Sequence, residues 1–321
     1  MGKDDFRVSV VITSYNQKDF LIETIESVIG QTVKPYEIII ADDHSTDGSV
    51  ELIREYIARH PGWIKGVFQK QNVHIPRNRN AGLQQVTGHY VSILDGDDRF
   101  LPHKIEREIE ALQRYAQARC VYSDVSFIDA EGRLMGNRDE EEQPSGDVFV
   151  YVARGKFGLL RSMLIDYNLL QDVGFLDARF PKYDGFELTV RLAKRGYFVY
   201  VPEPLVEYRV HPASDSKGLK TRDRLDDLEG IYRKMVPLLS DLSAPERKDI
   251  VSAWSRQLFE LHICETVERG EKGKAFLITL SSMFRGVANR NDMRNVTAWV
   301  TPDRIRKIFR RFRPRVEVER V

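Results

Sequence analysis

The chain has 321 residues with 49 basic and 48 acidic side chains, a near balance that excludes whole-chain electrostatic attraction to nucleic acid as its mode of action. A composition of 42% hydrophobic, 30% charged and 10% aromatic residues, with no low-complexity tract, excludes disorder throughout and leaves room for one large domain plus an appendage, or two domains. The two cysteines, Cys120 and Cys264, lie far apart and match no metal-ligand spacing, so buried thiols in a reducing compartment are expected.

Residues 1–12 lack the apolar core and small-residue cleavage site of a secretory signal, and no stretch approaches about 18 uncharged apolar residues. The expectation is a cytoplasmic protein, at most peripheral at the inner face of the plasma membrane. From residue 8 to about 123, short β-branched runs alternate with amphipathic runs, the pattern of a mainly parallel sheet covered by helices. Strands are predicted over 8–13, 37–41, 66–69, 90–94 and 120–123. Leu21, Ile25, Val28 and Ile29 mark one helical face, and Val50, Ile53 and Ile57 another. Pro102 suits the first turn of a helix reaching about residue 116. A hairpin follows over 125–135, then a charged loop at 139–144. The stretches 159–173 and 185–195 and the strands at 198–201 and 206–210 restore mixed α/β character. Composition shifts at 214–224, and only helical patterns follow, so the division expected is 1–221, with halves of about 1–124 and 125–221, and a helical region over 222–321.

The strongest local signal is Leu94-Asp95-Gly96-Asp97-Asp98 at the carboxyl end of an apolar strand, the edge of an open α/β sheet where ligands bind. Three crowded carboxylates repel one another, and a hard divalent cation such as Mg²⁺ or Mn²⁺ relieves the repulsion, with phosphate oxygens completing its shell. An acidic surface turn is the plainer reading of this pentapeptide alone. A second cluster, Ala41-Asp42-Asp43-His44-Ser45-Thr46-Asp47, follows the second strand, and by itself reads mostly as a helix cap. The first strand ends in Thr13-Ser14-Tyr15-Asn16, where a ring and small polar groups could receive a planar base.

Taken together with residues 27–32, Arg79-Asn80-Ala81-Gly82 and 88–98, these segments resemble the family-2 glycosyltransferases of GT-A fold, in order and spacing over about the first 100 residues. The match continues through Gly174-Phe175-Leu176-Asp177 to Tyr208-Arg209-Val210-His211. The resemblance implies an α/β fold, a GT-A type mainly parallel sheet flanked by helices with a helical C-terminal region. It implies an inverting transfer of sugar from a nucleotide-sugar donor, UDP- or dTDP-linked, to the hydroxyl of a glycan or lipid-linked acceptor in cell-surface polysaccharide synthesis. Tyr15 would stack on the base, Asp43 hydrogen-bond it with Thr13 alongside, Arg79 lie near the nucleotide and Asp95 face the ribose. Asp97 and Asp98 would hold Mn²⁺ or Mg²⁺ against the diphosphate, with either as the direct ligand, and His211 matches an additional ligand of some members.

The attacking hydroxyl needs a base. Members usually carry Glu then Asp six to seven residues before the arginine that matches Arg191, the second acid acting as base. This chain reads Lys182-Tyr183-Asp184-Gly185-Phe186-Glu187, so Gly185 stands where the base is expected. Asp184 and Glu187 are the candidates, Asp184 favoured because a neighbouring glycine could let its carboxylate turn into the pocket. If neither reaches the acceptor, the fold would bind nucleotide sugar without transferring it. A nucleotidyltransferase would want a glycine-rich basic loop after the first strand, and a dinucleotide oxidoreductase a Gly-x-Gly-x-x-Gly turn there. Tyr15, Asn16 and Gln17 occupy that place. At the far end, residues 304–315 form an arginine-rich amphipathic pattern in which Ile305, Ile308, Phe309 and Phe312 make one stripe, suited to an anionic membrane surface or to packing on the rest of the chain. The helical region is also where a homodimer contact would be sought.

Overall fold

The computed structural model describes residues 6–137, 143–155, 160–212 and 220–271. The expectations for 304–315 and for most of the loop at 139–144 lie outside them. In chain order the described elements are β1 Val8–Ser14, α1 Lys18–Ile29, β2 Glu37–Asp42, α2 Ser49–Arg59, β3 Ile64–Phe68, α3 Ile75–Leu83, β4 Tyr90–Asp95, β5 Arg99–Phe100, α4 Lys104–Arg114, β6 Ala118–Ile128, β7 Leu134–Asn137, α5 Phe149–Ala153, β8 Met163–Asp166, α6 Tyr167–Val173, α7 Asp184–Ala193, β9 Tyr197–Arg209, α8 Thr221–Met235 and α9 Ala244–Glu268.

All the described strands join one sheet in the order β3-β2-β1-β4-β8-β6-β9-β5, with β7 paired to β6. β1, β2, β3 and β4 are mutually parallel, as are β6 and β9, whereas β8 runs antiparallel to both β4 and β6 and splices the two halves. Every residue of β1 and β2 is buried, which is why both read as continuous apolar runs instead of alternating ones. Leu21, Thr24, Ile25 and Val28 bury one face of α1 at helical spacing.

Sequence and structure part at β9, read as two strands and found as one of 13 residues. Val201-Pro202-Glu203-Pro204 looks like a break because proline cannot donate to a ladder. The strand continues because its register against β6 shifts between Ser123, Asp124 and Val125, where Pro204 lies opposite Asp124.

Gly82 brings α3 onto the sheet: a Cβ there would lie 2.6 Å from Val11 Cγ1 and 3.2 Å from Ala41 Cβ. Around it, Asn78 donates to the Ala41 carbonyl at 2.8 Å, and the Asn80 amide brackets Leu176, donating to its carbonyl at 2.8 Å and accepting from its N–H at 3.0 Å. Arg79 is thereby held at the carboxyl edge of the parallel strands.

The described residues form two compact units, 6–137 with 143–149 and 160–212, and 150–155 with 220–271. In the second, Leu225, Leu228, Ile231 and Met235 of α8 are buried, as are Ile250, Trp254, Leu261 and Cys264 of α9. The Trp254 indole lies 5.5 Å from the Tyr232 ring and donates to the Ala153 carbonyl. Both cysteines are buried, and burial pushes their thiols up, Cys264 to about 12. Among the described residues no helix is long and apolar enough to cross a membrane.

Candidate active site

β1, β2 and β4 end in register, with Thr13 opposite both Ala41 and Asp95, so the polar segments after all three strands meet at one edge. Three non-glycine residues there adopt positive φ: Asn16 (50°), His44 (66°) and His74 (68°). Such backbone is costly and persists where surrounding bonds hold it. The Asn16 carboxamide accepts from the Thr46 N–H at 2.8 Å, and the Asn16 N–H donates to Ser45 Oγ at 2.9 Å. Within the acidic cluster, Asp42 accepts from the Ser45 N–H and Asp47 from the N–H groups of Lys18 and Ser49, so both serve the loop and the start of α2. Asp43 is buried and accepts from the Val73 N–H at 2.7 Å, while Tyr15 stands 47% exposed.

Beyond this edge lies a chain of alternating buried charges. Arg79 donates to Asp184 Oδ2 at 2.8 Å and Asp95 Oδ1 at 2.5 Å. Arg161 donates to Asp95 Oδ2 at 2.6 Å, places Nε 2.7 Å from Asp98 Oδ2, and lies over the Tyr208 ring at 4.3 Å. The Asp98 contact is an ion pair and not an aligned hydrogen bond. Thr13 Oγ1 donates to Asp95 at 3.3 Å. Burial alone would raise the Asp95 carboxyl, but Arg79 and Arg161 hold it well below the usual range. Burial raises Asp184, which Arg79 opposes only in part, and raises Asp98 strongly despite Arg161, with Asp97 and Asp95 adding to it. A cavity of about 200 Å³ opens beside this chain, lined by Arg79, Asp95, Arg161, Asp184, Leu160 and Gly185 among others.

The turn Asp95 to Asp98 is tight: the Gly96 N–H donates to the Thr13 carbonyl at 2.8 Å, and a Cβ on Gly96 would come within 2.9 Å of that oxygen. It sends its carboxylates in different directions. Asp97 Oδ2 lies 2.9 Å from His211 Nε2, whereas Asp98 is fully buried and accepts from the Arg209 N–H at 2.9 Å. Arg209, also fully buried, donates to the carbonyls of Asp97 and Ala130 and to Glu23. The resemblance implies that Asp97 and Asp98 hold a cation with either as the direct ligand; in the fold these consecutive residues of a turn face apart, Asp97 toward His211 and Asp98 toward Arg161 and β9.

Glu187 does not line the cavity. It is gripped through both oxygens by Arg191 at 2.8 and 2.6 Å, and that guanidinium also donates to the carbonyls of Val173, Gly174 and Phe175. The fold therefore gathers Thr13, Arg79, Asp95 and Asp184, sets Asp97 with His211, keeps Tyr15 and Asp43 at the same sheet edge, and removes Glu187. Sequence reading missed Arg161 and Arg209. No motif surrounds Arg161; Arg209 was visible only as part of the stretch ending in His211.

The described residues hold no group of three His, Cys, Asp or Glu side chains suited to a metal ion. Asp97 and His211 nonetheless offer one hard oxygen and one imidazole nitrogen side by side, and Mg²⁺-type sites commonly use one or two protein ligands plus substrate phosphates. The donor set fits such a cation.

Parallel strands with a polar carboxyl edge, spliced through an antiparallel strand to a second half carrying α7 and β9, define a GT-A type fold. The chain belongs to glycosyl transferase family 2, whose pattern matches residues 9–167. The putative glycosyltransferase EpsE of Bacillus subtilis is 32% identical over 211 residues, 65% of this chain and 74% of its own length. A Mycobacterium tuberculosis protein, Rv1520, is 28% identical over 215 residues, 64% of this chain but only 59% of its own length. The putative teichuronic acid biosynthesis glycosyltransferase TuaG of B. subtilis is 34% identical over 120 residues, 37% of this chain and 46% of its own. Among solved structures, S. aureus TarS 1–349 shares the fold with a TM-score of 0.66 at 14% identity, over 96% of this chain and 92% of that one.

Proposed function

We propose that this chain transfers a sugar from a nucleoside diphosphate donor, UDP- or dTDP-linked, to an acceptor hydroxyl with inversion, in the synthesis of a cell-surface glycan. The observation that carries the reading is the meeting of the Tyr15/Asp43 edge, the Asp97–His211 pair and the Asp184 side of the cavity on one sheet. A uridine donor is supported by TarS 1–349 having been crystallised with UDP-GlcNAc, and a surface glycan by the description of TuaG. Tyr15, half-exposed, stacks on the base, and the Asp43 carboxylate accepts from it. Asp97 and His211 would hold Mn²⁺ or Mg²⁺. When bound, the cation supplies the positive charge that lets a diphosphate leave. Arg79 steadies Asp95 toward the ribose, opposes the burial that raises Asp184 and aims its carboxylate, and Asp184 in its ionised form takes the proton of the attacking hydroxyl. The glycan or lipid-linked acceptor enters from the α7 side, and residues 304–315 bring the protein to an anionic membrane.

Calorimetry with UDP and Mn²⁺, with and without EDTA, tests the donor side. Binding is expected only with the cation, and equal affinity in EDTA would remove the metal from the reading. A second reading, binding without transfer, is favoured by Gly185 and by Arg79 occupying Asp184. Transfer or donor hydrolysis by the purified protein separates the two.

A further inference from the structure

Gly185 is the second residue of α7, where alanine would be the better helix former. Its backbone does not require glycine, since it is absent from the glycines of positive φ. The space around it favours glycine. A Cβ at 185 would stand 3.1 Å from Leu160 Cβ, tighter than ordinary van der Waals contact, and 3.6 Å from Leu160 Cδ2, within it.

Leu160 opens a single 3-10 turn, Leu160–Ser162, and its neighbour is Arg161. On its other side the turn runs into β8, where the Met163 carbonyl accepts from the buried Ser92 hydroxyl of β4 at 2.9 Å, and β8 is bonded to β4 and β6 along its length. The turn is therefore pinned to the sheet and cannot slide freely from α7. A group added at 185 pushes on Leu160, one residue from the guanidinium that joins Asp95 to Asp98.

We propose that Gly185 is a positioning residue: its missing side chain seats the Leu160–Ser162 turn against α7, and this close approach places Arg161 between Asp95 and Asp98. A residue on the acceptor side thereby sets the charge arrangement on the donor side. The functional consequence rests on the donor reading above; the positional claim does not.

The test is Gly185→Ala, alone and with Leu160→Ala, followed by crystal structures, thermal unfolding and titration with UDP and Mn²⁺. With one added methyl, Arg161 should move out of ion-pair reach of Asp98, and the melting temperature should fall as that buried carboxylate loses its partner. Affinity for UDP should fall roughly tenfold or more, with donor KM rising more than kcat falls. Shortening Leu160 in the same chain should return Arg161 to both carboxylates and recover most of the affinity. Arg161 unmoved in Gly185→Ala overturns the proposal, as does unchanged UDP affinity in a variant whose Arg161 has moved. Wild-type protein that binds no UDP would defeat the donor reading instead, and the crystal structures would still decide the position of Arg161.

Discussion

Asp184 is the side chain on which turnover is expected to depend. Asp184→Asn removes the base and one of the two carboxylates that hold Arg79, so kcat should fall about a hundredfold or more while UDP affinity falls far less. Single-turnover transfer and calorimetry read the two quantities separately. The sign of the pH dependence follows from burial, which raises Asp184. A base must be ionised, so turnover should rise with pH through a limb lying above the ordinary carboxylate range, and Arg79→Met, which removes the opposing charge, should move that limb higher still. Glu187→Gln should behave differently. Glu187 accepts twice from Arg191, which in turn ties down the chain at 173–175, so this variant should lower the melting temperature while leaving the pH limb of kcat in place.

At the scale of an element, α4 buries an ion pair that the proposed chemistry does not use. Lys104 and Glu108 are both fully buried and paired at i,i+4, with the Lys104 ammonium also 3.3 Å from Ser92 Oγ and over the Phe100 ring at 4.7 Å. Burial pushes Glu108 up to about 7 against the pull of Lys104, and pushes Lys104 down, so desolvation outweighs attraction at both ends. Lys104→Met alone should cost about 3–5 kcal/mol, whereas Lys104→Met with Glu108→Leu should be neutral or stabilising. Because the folded value of Glu108 lies above its unfolded one, its contribution to stability is full below the unfolded value and fades as pH rises toward 7. Urea unfolding at pH 4.5 and 7.5 should show that slope in wild type and its loss in the double variant. α6 offers a simpler case. Asp166 caps it by accepting from the Leu169 N–H at 3.1 Å and also pairs with Arg119, so Asp166→Ala should cost about 1–2 kcal/mol in the same assay.

For the whole molecule, the expected link to a membrane rests on residues 304–315. Co-sedimentation with anionic liposomes should fall on deleting 301–321 or raising salt, since each Lys or Arg at such a surface contributes about 1 kcal/mol and is screened by ions. UDP binding should survive the deletion. Binding unaffected by either change would assign the stripe of Ile305, Ile308, Phe309 and Phe312 to packing.

The amino-acid sequence alone determined the donor half of the fold and its polar edge. Buried parallel strands need continuous apolar runs, and a strand end can be read from where such a run stops, so Thr13, Tyr15, Asp43 and Asp95 were placed by local pattern. The Arg79 stretch was legible only through the family resemblance, because what seats its helix is distant in the chain: Asn78 on Ala41, Asn80 on Leu176 and Gly82 against Val11. Tertiary structure decided what depends on direction and on distant neighbours. It turned Asp97 to His211 and Asp98 to Arg161, residues 114 and 63 positions away, although the two acids are adjacent in the chain. It tied Glu187 to Arg191 and left Asp184 on the cavity. At 185, what reads in the sequence as a missing acid is in the fold a close approach to Leu160. A buried charge takes its role from the partner that compensates it, and a glycine from the group that comes near, and neither partner is encoded by spacing along the chain.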